Sequence, residues 1–198
     1  MARLSNNCVC YDFETLSQDP QTGIVVNMAG IQYSEERFRD DPYTFEELVG
    51  MAKFIKFDTK EQIEKYGRKP DKSTIDWWAK QNEEARSLLA PSSEDKSITE
   101  LYDFCKNISQ KPEKVYTRGN TFDPIYLSSL MKQLGRPDPW DWWTIRDTRS
   151  LIDGISYGQD LDNKFMPEGI TGFIYHNPIH DVAVDIMRMQ VLYKAVME

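Results

Sequence analysis

At 198 residues, with 40% hydrophobic and 28% charged side chains, the chain has the length and balance of one globular domain with a substantial core, outside the disordered and collagen-like classes. No apolar run approaches the roughly 20 residues of a membrane helix, and the N-terminal MARLSNNCVC lacks the apolar stretch and cleavage site of a signal peptide. A net charge of −8 excludes broad binding to duplex DNA through many Lys/Arg–phosphate contacts, yet it leaves room for a grip on a strand end through cations held by carboxylates.

NCVCYDFETL opens as an apolar run ending in acids, a first core strand in which Cys8 and Cys10 pack as small hydrophobes. Three cysteines in this setting fit a reducing cytoplasm. GIVVNMAGIQY is a second β-rich run, and TFEELV is expected to add a third strand, giving an antiparallel meander. Residues 50–72 are lysine-rich and without clear period, so they are expected to form a loop or small excursion, their lysines a solvated face or a path for a strand's backbone. Ser73 with Asp76 makes a capping box for a helix running to Pro91, and Ser97 with Glu100 repeats the device. KVYTR reads as a short strand, followed by the turn GNTFD and a helix with Pro124 in its first turn and Gly135 as its stop. WDWWTIRDTRSLID passes from strand to helix, with Trp140, Trp142 and Trp143 expected to pack and Arg146–Asp147 to be structural. The chain closes with an amphipathic helix from about Asp181 to Val196. The order implies one α/β domain over residues 1–198, a mixed central sheet flanked by helices. Neither G-x-G-x-x-G nor G-x-x-x-x-G-K-[ST] occurs, which counts against dinucleotide and P-loop binding.

In YDFET, strand alternation places Asp12 and Glu14 on one side and Phe13 on the other. Two neighbouring carboxylates repel unless a cation lies between them or one is protonated. Asp123 follows the RGNTF turn, and Asp185 lies early in the last helix. Hard oxygen ligands from separate elements suit Mg²⁺ or Mn²⁺. Four carboxylates can hold two such ions roughly 3.5–4 Å apart, a geometry suited to phosphodiester hydrolysis. A histidine of near-neutral pKa suits the remaining task of general base.

DFET, IKFD, KSTIDWWAKQNEEARSLLAPSSED, RGNTFD, IRDTR and HNPIHDVAVDI, in this order, resemble the DEDDh-type 3′→5′ exonucleases, and within them the DexA-type exonucleases of tailed phages. A related group of bacterial exoribonucleases carries similar segments. The resemblance implies an RNase H-like fold, two divalent cations on Asp12, Glu14, Asp123 and Asp185, and His180 as the base. It also implies that Phe13 and Thr15 help place the terminal nucleotide. The expected activity is removal of nucleoside 5′-monophosphates from the 3′ end of single-stranded DNA, with RNA as the second choice. An inactive nucleic-acid-binding or replisome module is disfavoured because all five acid and histidine positions are filled.

The histidines can also be compared on local chemistry. Pro178 disfavours helix at Asn177, so His176 and His180 do not form a helical i,i+4 pair. Asp181 suits an N-cap, which places Asp185 in the first turn and His180 just ahead of it. His180 and Asp185 are therefore the expected catalytic pair, with His176 a substrate-side loop residue. Trp78, or its neighbour Trp77, is a candidate base-stacking residue. In the RGNTFD turn, Arg118 is a candidate phosphate contact or ion-pair partner, and Asn120 and Phe122 are further candidate substrate contacts.

Overall fold

The structure, a computed structural model, describes residues 4–156, 162 and 164–197. Its centre is a five-stranded mixed sheet in the order β3-β2-β1-β4-β5. β1 (Cys8–Thr15) pairs antiparallel with β2 (Val25–Tyr33), which pairs antiparallel with β3 (Lys53–Lys56). On the other side β4 (Lys114–Thr117) and β5 (Ile145–Asp147) run parallel to β1. β1 is the central strand and is covered on both faces, which explains why its sequence is nearly continuously apolar until the acids.

Helices fill the connections. α1 (Arg37–Asp40) and α2 (Phe45–Met51) join β2 to β3, and α3 (Thr59–Tyr66), α4 (Lys72–Trp78), α5 (Glu83–Ser87) and α6 (Leu101–Ile108) join β3 to β4. α7 (Asp123–Gln133) joins β4 to β5, and α8 (Thr148–Ser156) and α9 (Pro178–Met197) follow. One face of the sheet, with Cys8, Cys10 and Ile31, packs against α2 and α9 through Leu48, Val182, Ala183 and Ile186. The other, with Val9, Tyr11, Phe13 and Met28, packs against α6 and α7 through Leu101, Cys105, Tyr126 and Leu130. Gly30 permits the close seat of α6, since a Cβ there would lie 2.5 Å from Ile108 Cδ1. Asp12 and Glu14 continue the row of Cys8 and Cys10, so they emerge from the α9-covered face where the core ends.

The strand expected in TFEELV is instead α2: Thr44 Oγ1 accepts from the backbone N–H of Glu47, a cap that begins a helix. The third strand comes from KFIK within the expected excursion, and α3 follows it with Asp58 as its cap. Asp71, not Ser73, caps α4, because its carboxylate accepts from Thr74 N–H and Ser73 Oγ. The single helix expected up to Pro91 is divided, since Asn82 caps a separate α5. Of the three later tryptophans only Trp140 is buried, its Nε1 donating to Ser109 O. Trp142 and Trp143 are 78% and 58% exposed, against the expectation of packing. No helix among the described residues is long and apolar enough to cross a membrane.

Candidate active site

Asp12 and Glu14 stand at the end of β1, and the chain returns to them twice. After β4, the turn through Gly119 (φ 126°) delivers Asp123 to the first residue of α7, where Asp123 Oδ1 accepts from Phe13 N–H at 3.3 Å. α9 then begins at Pro178, three residues before the expected start. Asn177 is the cap, its Oδ1 accepting from Ile179 N–H at 3.0 Å, and Pro178 occupies the first helical position. This start places Asp181 one turn into the helix and His176 in the preceding loop, in a left-handed conformation (φ 63°). A non-glycine residue held at positive φ is a local strain that functional sites commonly store.

The result is a cavity of about 700 Å³ lined by Asp12, Glu14, Asp123, Asp181 and His176 among others. One ligand atom each from Glu14, His176 and Asp181 lie within 4.8 Å of one another. Burial pushes the Asp12 and Glu14 carboxyls well up, and neighbouring carboxylates push further: Asp123 and Glu14 on Asp12, Asp181 and Asp123 on Glu14. Burial also raises Asp123 and Asp181 to about 7, although backbone N–H groups of Phe13 and His176 respectively pull them down. Buried acids that repel one another in this way are a donor set short of positive charge, and an oxygen-binding divalent cation fits it.

The expected catalytic pair is not in this arrangement. His180 lies inside α9, where its Nδ1 accepts from Ile174 N–H at 2.9 Å. Its ring lies edge-on to Phe45 and tilted against Phe173, with centroids 5.2 and 6.0 Å away, and it does not line the cavity. Asp185 reaches the cavity wall, but its oxygens are engaged. Oδ1 accepts from Arg118 at 2.7 Å and Arg188 at 2.8 Å, and Oδ2 from Thr148 Oγ1 at 2.7 Å. This placement follows from the helix start: beginning at Pro178 brings Asp181, one turn ahead of Asp185, into the cavity with Asp12 and Glu14 and leaves His180, about 100° around the helix, against Phe45 and Phe173.

The remaining candidates divide. Phe13 is among the residues lining the cavity, and its ring packs in the core against Tyr11. Thr15 is buried, its hydroxyl donating to Ser17 O and its carbonyl accepting from Trp78 Nε1. Trp78 is thus a packing residue, 5% exposed, whereas Trp77 is 42% exposed and lies edge-to-face with His176 at 4.7 Å. Arg118 and Phe122 line the cavity. Asn120 is exposed, its N–H donating to the Asp147 carboxylate. Sequence reasoning missed Asp181, Arg149, Lys164 and Tyr175 as cavity residues. Only Asp181 had a readable signal, the Asn-Pro pair that marks a cap followed by a first helical position.

The mixed sheet, with acids at the end of its central strand and at two helix starts, has the RNase H-like fold of exonuclease I. Residues 7–192 match the 3′-5′ exoribonuclease Rv2179c-like domain; the chain belongs to this family and is a 3′→5′ exonuclease. The exodeoxyribonuclease of Enterobacteria phage T4 is 33% identical over 199 residues, covering 90% of this chain and 86% of that protein. Among solved structures, E. coli exonuclease I bound to a dT13 oligonucleotide superposes with a TM-score of 0.59 at 15% identity, over 97% of this chain and 41% of that one. A second exonuclease I structure gives 0.63 at 14% identity, over 98% and 43%. The chain therefore spans 40 to 43% of these exonuclease I chains, and the likeness is one of fold.

Proposed function

We propose that the chain, as one exonuclease domain, removes nucleoside 5′-monophosphates from the 3′ end of single-stranded DNA. Asp12, Glu14, Asp123 and Asp181 would hold two divalent cations, Mg²⁺ or Mn²⁺, and His176 would serve as the general base. The observation that carries this is the convergence of Glu14, His176 and Asp181 within 4.8 Å in the cavity that also holds Asp12 and Asp123. Divalent cations in such a site supply Lewis-acid polarisation of the phosphoryl group and a water nucleophile at neutral pH.

The chain's own groups supply the rest. Burial keeps His176 below the usual imidazole value, so it is neutral near pH 7 and able to take a proton from the attacking water. Trp77 and Trp78 flank its ring edge-to-face at 4.7 and 5.9 Å and limit its rotation. The Phe13 N–H holds Asp123 in orientation. The Ile174 N–H bond to His180 and the Asn177 N–H bond to Ile174 O tie down the loop that carries His176.

The T4 relative, an exodeoxyribonuclease, favours DNA. The family description, an exoribonuclease domain, supplies RNA as the second reading. Matched end-labelled single-stranded DNA and RNA, digested with Mg²⁺, Mn²⁺ or EDTA, test both. We expect stepwise loss from the 3′ end, faster on DNA and abolished by EDTA. Activity that survives EDTA would overturn the metal-dependent mechanism, and faster digestion of RNA would overturn the substrate choice.

A further inference from the structure

We infer that Arg149 and Lys164 form a phosphate clamp for the substrate strand, gripping backbone phosphates on the 5′ side of the bond to be cut, and that the buried carboxylate of Asp185 aims them. The inference deepens the reading above and rests on it for which molecule enters the cavity.

Both cations line the same cavity as the carboxylates. The other two basic residues of that wall, Arg118 and Arg188, are paired with Asp185, whereas neither Arg149 nor Lys164 is in an ion pair among the described residues. Arg149 is exposed, and its charge lies close enough to Asp123 to favour that acid's ionised form. A polyanion entering here meets two cations that are in no ion pair with a described carboxylate. An acidic protein needs such a feature at its site, because its overall field repels the substrate.

The lysine-rich segment 53–72 offers a poorer path. Lys56 pairs with Asp95, Lys60 with Glu64, Lys65 with Glu61 and Lys72 with Asp76. These acids cancel most of the attraction the segment promises in sequence.

Asp185 supplies the mechanical connection. Thr148, the residue before Arg149, donates its hydroxyl to Asp185 Oδ2 and fixes the start of α8. Arg188 donates to Asp185 Oδ1 and also binds the carbonyls of Phe165 and Lys164 through Nε and Nη2, at 2.9 and 3.2 Å. One buried carboxylate therefore anchors the backbone beneath each cation. Asp185 acts as a positioning residue, and this accounts for its place beside the acid cluster with its oxygens already engaged.

The test couples side chain to phosphate. Arg149→Ala and Lys164→Ala should each raise KM roughly ten-fold, as expected for a lost charge-assisted bond, with little change in kcat. Each should also lower the salt dependence of strand binding by about 0.7 in log–log slope. Substrates with one uncharged methylphosphonate at the first or second linkage 5′ of the scissile bond should bind the wild type more weakly. Against the Arg149→Ala/Lys164→Ala double variant, one of these substitutions should cost nothing further, while Arg149→Lys should retain part of the affinity. Fully additive penalties at both linkages, or an unchanged KM, would overturn the clamp. Measuring strand affinity in EDTA, where no hydrolysis occurs, separates the two readings. Coupling there without Mg²⁺-dependent release from the 3′ end would support the clamp and sink the proposed chemistry. Release without coupling would do the reverse.

Discussion

His176 and His180 lie four residues apart and both sit below the usual imidazole pKa through burial, so titration alone does not separate them. Their neighbours do. His176 has Glu14 and Asp181 within reach, while His180 has Phe45, Phe173 and the Ile174 N–H. His176→Ala should lower kcat by about 10²- to 10⁴-fold, the usual range for a lost general base, with the fold intact by circular dichroism. His180→Ala should instead cost about 1 kcal/mol in denaturant unfolding by orphaning a backbone N–H, and lower kcat far less than His176→Ala, through a loosened loop alone. The opposite pattern would return the base to His180. The two aspartates separate in the same way. Asp181→Asn should weaken the response to Mg²⁺ with little loss of stability. Asp185→Asn should destabilise by about 3 kcal/mol, because Arg118 and Arg188 would be left around a neutral amide. Titration with Mg²⁺ and urea melts of both variants would decide between these roles.

At the scale of elements, the decisive feature is where α9 begins. Asn177→Ala removes the cap that Ile179 N–H donates to and should cost about 1 kcal/mol, a typical price for a lost N-cap. It should also reduce kcat, because Asp181 rides on that first turn and Asp181 N–H bonds to Asn177 O; thermal melts and turnover would be measured on one preparation. The same turn marks the limit of what could be read from the sequence. Strand alternation was enough to put Asp12 and Glu14 on one face with Phe13 behind them, and the RGNTFD turn was enough to place Asp123 at a helix start. Pro178 correctly excluded helix at Asn177, but a proline cannot say whether the helix starts at itself or later. Choosing Asp181 rather than Asn177 as cap moved the cap by four residues, about a full turn, which is enough to exchange one His–Asp pair for the other. The Thr44–Glu47 capping box was equally present in TFEELV, yet the short apolar–acidic alternation there also fits a strand. What stayed unreadable was long-range. That Trp78 rather than Trp77 is buried depends on a bond to Thr15 O across 63 residues, and no local pattern encodes it.

Across the whole molecule, the acid cluster links stability, pH and cation binding. Asp12, Glu14, Asp123 and Asp181 all have carboxyls raised in the folded state, Asp123 and Asp181 from 3.8 to about 7, with burial the first cause in every case. A carboxyl raised by folding binds its proton more tightly in the native than in the unfolded state. Its stabilising contribution is therefore fully present below about pH 4 and is lost as pH rises through about 7. Free of divalent cations, the protein should lose stability from this site between those values. Any acid unfolding caused by carboxylates elsewhere that folding holds low, such as Asp71, is superimposed with the opposite sign. A divalent cation binds the ionised form, so its stabilisation should grow over the same interval as fewer protons must be displaced. Thermal melts at pH 5, 6, 7 and 8, with and without saturating Mg²⁺, should show a shift that increases with pH. In Asp12→Asn/Asp123→Asn, which has lost two of the repelling charges, the metal-free protein should melt higher than wild type at pH 8 and respond little to Mg²⁺. A cation-induced shift that is constant across this range, or that survives in the double variant, would mean that Mg²⁺ stabilises the fold from somewhere other than the end of β1.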